Sequence, residues 1–415
     1  MTTMELILQA REERAARQQE LLKEHKRTLV CFTMNIPGEE KDSGLIRFAF
    51  FRGLDLLQEA LNGAEPCEAL LTDAGPEAYF LTDLAPETVK ELTIGIETSL
   101  PVGRLFDMDV FAADGTKISR NQRRCCMICG DLVDVCAKSK KHTIEEARKM
   151  ADEMLQNYAA EFLADAAVES LHAEVHLTPK PGLVDEENTG AHSDMDIALF
   201  EKSAEALHEY FKTAVILGLE DESCMAKLQP AGVEAEKTML TATGGINTHK
   251  GAIYAFGLIL SAIGSHISFG SEIFSTASLL ASEGVLPQED THGTQVRMKF
   301  RRCGARHEAE EGFPNAISAY NILCETENPY RALLWLMASV PDTNVLYRGG
   351  ADGLVYVQEL AKKTQALPDD ALLDGIREMD KKLTEHHLSP GGCADLLALG
   401  LFLQKTESVW NEDFL

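Results

Sequence analysis

Gly103-Arg-Leu-Phe-Asp-Met-Asp-Val-Phe111 is the stretch on which the reading of this chain turns. From Phe106 onward apolar and acidic residues alternate, which predicts a strand with Asp107 and Asp109 on one face. The run closes on Asp114-Gly115, a turn signal. Toward the N-terminus, Thr28-Leu-Val-Cys-Phe-Thr-Met34 is a compact β-prone run that stops at Asn35-Ile-Pro-Gly38. A short apolar run around Ala69-Leu-Leu-Thr72 ends at Gly75-Pro76. Helical patterns lie between these strands, so the N-terminal part reads as an α+β domain. The charged, helix-favouring segment Glu5 to Arg27 reads as an exposed opening helix that clasps this domain.

Beyond His142 the pattern changes. Thr143-Ile-Glu-Glu146 has the form of a capping box, and strand signals nearly vanish from there on. Helical stretches alternate with short Gly- or Pro-marked loops, which predicts an all-α domain. The chain is therefore read as multi-domain, with an N-terminal domain over 1–156 and a C-terminal domain over 157–415. Their boundary falls in a helical region without a Pro- or Ser-rich linker.

Length agrees, because 415 residues exceed one ordinary core. A hydrophobic share of 45% and a charged share of 25% exclude collagenous, disulfide-scaffold and largely disordered chains. The net charge of −27 argues against binding nucleic acid or an anionic membrane, though not against phosphate substrates held in a local basic pocket. That charge is uneven: residues 1–150 carry 20 basic and 25 acidic side chains, and the rest carry 19 and 41. Ten cysteines without a secretory layout at Met1 point to free thiols in a reducing cytoplasm. The apolar run from Ala252 to Gly270 is long enough to span a bilayer, but serines, glycines and His266 dilute it. It reads as a helix buried on all sides.

Three features of the N-terminal domain carry chemistry. Asp107 and Asp109 can hold Mg²⁺, with Gly103 leaving room for a phosphate to approach the backbone, the arrangement nucleotidyltransferases use. The alternative for the pair is two solvent-facing acids on an edge strand. From Lys117 to Lys141, seven basic residues face two acids, a local inversion suited to a polyphosphate, an acidic protein or simply water. Within it, Cys126, Cys129, Cys136 and His142 have the spacing of a structural Zn²⁺ site, or else are buried free thiols beside a helix.

These residues, with Arg11-Glu-Glu-Arg-Ala-Ala-Arg-Gln-Gln19 and Asn35-Ile-Pro-Gly-Glu-Glu-Lys41, resemble apo-citrate lyase phosphoribosyl-dephospho-CoA transferase over roughly residues 5–150. The resemblance implies Mg²⁺ at Asp107 and Asp109, a phosphate contact at Arg104, and attack by a serine of the citrate lyase acyl carrier protein (the γ subunit). Pyrophosphate is then the leaving group. Ala137-Lys-Ser-Lys-Lys-His142 departs from the arginine-rich family pattern and loses the bidentate fork.

The C-terminal part holds five polar loop–helix junctions. They are Thr178-Pro-Lys-Pro-Gly-Leu-Val-Asp185 with Gly190-Ala-His-Ser-Asp-Met-Asp196, then Gly244-Gly-Ile-Asn-Thr-His-Lys-Gly251, then Gly304-Ala-Arg-His-Glu308. Asp342-Thr-Asn-Val-Leu-Tyr-Arg348 and Ser389-Pro-Gly-Gly-Cys-Ala-Asp395 complete the set. His192, Asp194 and Asp196 can cluster around Mg²⁺, with helix capping the alternative for Asp194. Lys250 at a helix N-terminus suits phosphate. Together the five motifs resemble triphosphoribosyl-dephospho-CoA synthase over roughly 160–415.

That resemblance implies ATP and 3′-dephospho-CoA as substrates and adenine as a product. It also implies a site built from Lys180, Asp185, His192, Asp194, Asp196, Asn247, His249, Lys250, Arg306, Glu308, Asp342, Arg348 and Asp395. Within it, Asp194 and Asp196 bind Mg²⁺–triphosphate, and His192 or Glu308 serves as acid/base. Glu186 and His307 depart from the family, which favours arginine and glycine there. The expectation is one bifunctional transferase that makes and attaches the prosthetic group of citrate lyase. Its rivals are the equivalent enzymes for malonate decarboxylase and a zinc-stabilised binding or regulatory module.

Overall fold

The alternation at Phe106–Phe111 (β4) does form a strand: Phe106, Met108 and Val110 are fully buried, while Asp107, Asp109 and Phe111 take the other, half-exposed face. The computed structural model describes residues 3–121, 123–285 and 303–410. The chain divides into two compact units, Met1–Ala159 and Ala160–Phe414, and helix α5 (Ile144–His176) runs through that division.

The first unit is built on a five-stranded antiparallel sheet in the order β2-β3-β1-β4-β5. Its strands are β1 (Thr28–Met34), β2 (Glu68–Thr72), β3 (Gly75–Thr82), β4 and β5 (Lys117–Ile118). Two strands go beyond the sequence expectation. Gly75-Pro76 opens β3 directly as the return of a tight hairpin, and the Asp114-Gly115 turn returns the two-residue β5 along β4. β1 lies at the centre and is buried along its whole length, which its unbroken apolar and Thr/Cys composition allows.

One sheet face packs on α2 (Gly44–Ala60) and α3 (Pro86–Ser99), where Phe32 stacks on Phe50 at 4.8 Å and meets Phe106 edge-on at 5.3 Å. The opposite face at Leu29, Cys31 and Tyr79 is covered by Leu21 and Leu22 of α1 (Thr3–His25). Arg14 and Arg17 of α1 pair with Glu77 and Glu68, so the opening helix does clasp its domain. The short helix α4 (Val133–Ser139) precedes α5. Thr143 and Glu146 form the reciprocal capping box, with N–H donations of 2.8 and 3.1 Å.

The described part of the second unit is helical. After α5 come α6 (Ile197–Glu220), α7 (Met225–Ala242), α8 (Lys250–Phe269), α9 (Ile273–Glu283), α10 (Ala305–Glu310) and α11 (Pro314–Thr326). Then follow α12 (Pro329–Ser339), α13 (Thr343–Gln365), α14 (Asp369–Glu385), α15 (Gly391–Lys405) and α16 (Glu407–Trp410). A non-helical Gly350, at φ 63°, breaks α13 just after Arg348. The long apolar run is α8, buried against α6.

The serines and glycines that dilute α8 make this packing possible. Ser261 Oγ donates to Ala214 O at 2.9 Å and Ser265 Oγ to Gly218 O at 3.2 Å. A Cβ on Gly218 would overlap the Ser261 carbonyl, and one on Gly264 would overlap that of Val215. Gly218→Ala is therefore expected to overpack the crossing and cost about 1–3 kcal/mol or more. The check is the thermal transition of the purified chain, and an unshifted Tm would contradict the close-packed crossing.

Candidate active sites

In the first unit, β1–β4 register sets Asp107 opposite Thr33 and Asp109 opposite Cys31, on the sheet face away from the phenylalanine core. Asp107 lies 3.2 Å from Arg124, and Asp109 lies 2.6 Å from Lys117 on β5. Burial, and then the charge of Asp109, holds the Asp107 carboxyl above its ordinary range. Two acids that crowd each other amid cations fit a divalent ion and its phosphate ligands.

Behind the strand, buried Lys90 donates from Nζ to Met108 O at 2.8 Å, and Glu97 accepts the Met108 N–H at 2.9 Å. Glu97 also pairs with Arg120 and, at 2.9 Å, with Arg124. It thereby fixes Arg124, which reaches Asp107, and its neighbour Arg120. Sequence reasoning missed Lys90 and Glu97, since nothing local marks a helix residue that reaches the backbone of a distant strand.

Arg104 donates to Cys125 O at 3.0 Å, while its Nη1 is buried without a partner, an open donor suited to phosphate. Gly103 needs a correction. It is buried, and a Cβ there would lie 2.9 Å from the carbonyl oxygens of Ile96 and Glu97. Close packing on the end of α3 explains this glycine, and that side offers no room for a phosphate.

The cysteine-rich loop folds back on itself. Cys126, Cys129, Cys136 and His142 each direct one ligand atom to a common point, all within 4.8 Å of one another. Cys126 and Cys136 sulfurs are 3.6 Å apart, close to the ~3.8 Å edge expected of a tetrahedral thiolate site. His142 Nε2 is buried with no partner, so the donor set is one nitrogen and three sulfurs with an unfilled demand. Cys125 is exposed and stands outside it.

In the second unit all five junctions border one cavity of about 1660 Å³. It lies among the N-terminal ends of α8, α10, α11, α13 and α15 and the loop after α5. Lys180, His192, Asp194, Asn247, His249, Lys250, Arg306, Glu308, Asp342, Arg348 and Asp395 all line it. Two expected residues do not. Asp185 is buried, and its carboxylate accepts the N–H groups of Lys180, Glu187 and Asn188 at 2.7–2.9 Å, which ties the proline loop together. Asp196 caps α6 by accepting the Leu199 N–H at 2.9 Å. Capping thus falls to Asp196 and leaves Asp194 facing the cavity, so the two do not form a paired magnesium site.

Several cavity residues are held by neighbours that the sequence reading missed. Lys180 is buried against Glu174 at 2.6 Å, and Lys250 pairs with Glu236. His192 Nε2 lies 2.8 Å from Ser389 Oγ, and its Nδ1 faces Arg348 at 3.4 Å and Asp194 at 3.9 Å. Burial, then Arg348, lowers the His192 pKa, so the ring is neutral near pH 7. His249 is pushed to about 3 by burial and shares its Nδ1 with Ser203 Oγ at 2.8 Å.

Arg306 reaches Glu310 at 2.7 Å and Gly284 O at 2.8 Å. Asn247 Oδ1 accepts the Lys250 N–H at 3.2 Å. Glu308 accepts from Asn315 N, Ala316 N and Asn315 Nδ2 at 2.5–3.2 Å, which occupies both its oxygens. The Asp395 carboxylate lies against Gly251, where any Cβ would collide with it. Burial, then Glu174 and Asp342, drives its pKa well above the carboxylate range.

Known proteins divide the chain as the two units do. Residues 2–158 match the family model for apo-citrate lyase phosphoribosyl-dephospho-CoA transferase, and residues 160–414 match that for ATP:dephospho-CoA triphosphoribosyl transferase. "Protein CitXG" of Haemophilus influenzae is 34% identical over 96% of this chain and 95% of its own length. "Protein CitXG" of Leuconostoc mesenteroides is 27% identical over 96% of both. The 2-(5''-triphosphoribosyl)-3'-dephosphocoenzyme-A synthase of Haemophilus ducreyi is 36% identical over 66% of this chain and 98% of its own length. With both units accounted for, the chain belongs to the family of fused proteins that carry the phosphoribosyl-dephospho-CoA transferase segment ahead of the triphosphoribosyl transferase segment.

Proposed function

We propose that the two units catalyse successive steps, the second unit making a cofactor precursor and the first attaching it to citrate lyase. In the second unit the 2′-hydroxyl of 3′-dephospho-CoA attacks the anomeric carbon of ATP ribose. The new O–C bond replaces the C–N bond to adenine, which leaves with a proton, and the triphosphate stays on the product. In the first unit a serine hydroxyl of the citrate lyase acyl carrier protein attacks the phosphorus nearest the ribose and expels pyrophosphate.

The observation that carries this reading is the convergence of five polar junctions on one cavity of about 1660 Å³. That exceeds the ~300–1,000 Å³ of an ordinary single-ligand site and suits two nucleotides side by side. Lys250, Arg306 and Arg348 supply positive charge for the triphosphate, and Asn247, Lys180 and Asp342 shape its surroundings. His192, neutral and half-buried, takes the 2′-hydroxyl proton. Glu308 is committed to the start of α11, which leaves Asp395, held protonated by its surroundings, to give adenine its proton. Asp194 is the carboxylate placed to meet a metal-bound triphosphate.

In the first unit, working as a nucleotidyltransferase, Asp107 and Asp109 hold Mg²⁺, which when bound neutralises the developing phosphate charge. Arg104, Arg120 and Arg124 bind and orient the donor. Cys126, Cys129, Cys136 and His142 hold a structural Zn²⁺ that fixes the loop carrying Arg124. Ten free cysteines, four of them in or beside this loop, support a reducing cytoplasm as the working compartment.

Four outcomes test this. Asp107→Asn is expected to reduce carrier modification more than about 100-fold while adenine release from ATP and dephospho-CoA continues. Mass spectrometry of apo carrier and chromatography of adenine read the two steps separately, and loss of both would contradict two sites. His192→Ala and Asp395→Asn should each slow adenine release about 10²–10⁴-fold. Because His192 must be neutral and Asp395 protonated, the rate should fall only below the lowered His192 pKa and again above the raised Asp395 pKa. A flat profile in wild type would remove these roles. Elemental analysis should find about one Zn per chain, reduced by Cys129→Ser, and far less in wild type would reject the zinc site.

A further inference from the structure

The loop that carries the cysteine cluster presents a surface that neither reaction uses. From Asp131 to Lys140 every residue except Cys136 is exposed, including Leu132, Val133 and Val135. A seven-residue helix has little stability alone, and α4 is tied to its own loop through Cys136, 3.6 Å from Cys126, and the backbone β-bridge between Cys125 and Leu132. Three branched apolar side chains in water on such an element mark a surface that binds something. Lys138 and Lys140 border it, and no carboxylate pairs with either among the described residues.

We propose that α4 and its flanks, exposed on every side but that of Cys136, apolar at Leu132, Val133 and Val135 and cationic at Lys138 and Lys140, dock an acidic face of the carrier protein beside its acceptor serine. The proposal rests on the transfer reaction assigned to this unit. Position supports it. The Val133 N–H donates to Arg124 O at 3.1 Å, and the same Arg124 reaches Asp107 at 3.2 Å, so one residue links the face to the reacting phosphate.

The other exposed apolar pair on the sheet, Leu70 and Leu71, lies on β2 at the opposite edge from β4 and β5. A carrier docked there would hold its serine across the sheet from the aspartates. Charge narrows the partner further. Residues 1–150 carry 20 basic and 25 acidic side chains and so have little net field, which lets a local cationic rim beside the site steer such a partner to one place.

The test uses the full chain, purified triphosphoribosyl-dephospho-CoA and apo carrier protein, with transfer rate measured against each substrate in turn. Lys138→Glu with Lys140→Glu, and separately Val135→Ser, are expected to raise the carrier KM about tenfold or more. The donor KM, the rate of adenine release and the zinc content should stay at wild-type values. Raising salt should raise the carrier KM of wild type and change that of the charge-reversed variant far less. An unchanged carrier KM in both variants overturns the proposal, and so does a parallel rise in carrier and donor KM, the signature of a collapsed loop. If wild type modifies no carrier at all, the transfer reading itself fails, an outcome distinct from either.

Discussion

Asp342 holds the starts of two helices with one carboxylate. It accepts N–H groups of Asn344 and Val345 at the head of α13 and that of Cys393 in the first turn of α15, at 2.8–3.1 Å. A helix start leaves backbone donors unpaired, and several starts pointed at one cavity would be costly without acceptors. The unit meets this constraint repeatedly. Glu308 closes the start of α11, Asp196 that of α6, and Asp185 and Asp380 tie the proline loop through the N–H groups of Lys180 and Gly182. The acid excess of this half of the chain is in part a set of backbone acceptors, buried at Asp185, Glu308, Asp342 and Asp380 and exposed at Asp196.

The first unit solves a different problem with a sheet. Alternation along β4 separates the core from the carboxylates proposed to meet phosphate by one residue step, with Met108 in the core and Asp107 and Asp109 on the reverse face. Precision then depends on groups behind the strand. Lys90 and Glu97 of α3 bind both backbone groups of Met108, so the two peptide groups between the aspartates are clamped from α3. Glu97 at the same time pairs with Arg120 and Arg124, which couples the strand to the basic loop. The near balance of acidic and basic residues in this half reflects that arrangement, in which cations gather around two carboxylates instead of dispersing over the surface.

Much of this is legible in residue order, and the parts that are not share a cause. The β4 alternation, the Thr143–Glu146 capping box and the five glycine- or proline-marked junctions are local patterns, and local patterns survive in sequence. Spacing predicts which face a residue takes but not what it meets there. Asp194 and Asp196 look interchangeable two residues apart, yet it is the second whose carboxylate caps α6, so their roles divide in the opposite way to the simplest reading. Gly103 announces close approach correctly, but the approaching atoms are carbonyls of its own preceding helix. Glu174, Glu236 and Glu97 carry no motif at all, because each acts on a residue from another segment.

The catalytic pairing assigned to the cavity follows from one environment acting on two groups of opposite charge type. Removing solvent penalises whichever form of a side chain is charged, so it lowers an imidazole and raises a carboxyl. His192 is kept neutral by burial and by the Arg348 guanidinium, while Asp395 is kept protonated by burial and by the carboxylates of Glu174 and Asp342. A single partly dry cavity therefore prepares a base at one wall and an acid at another. Lys180 pairs with Glu174 at 2.6 Å, so the carboxylate that helps to raise the Asp395 pKa is itself held in place by a buried cation.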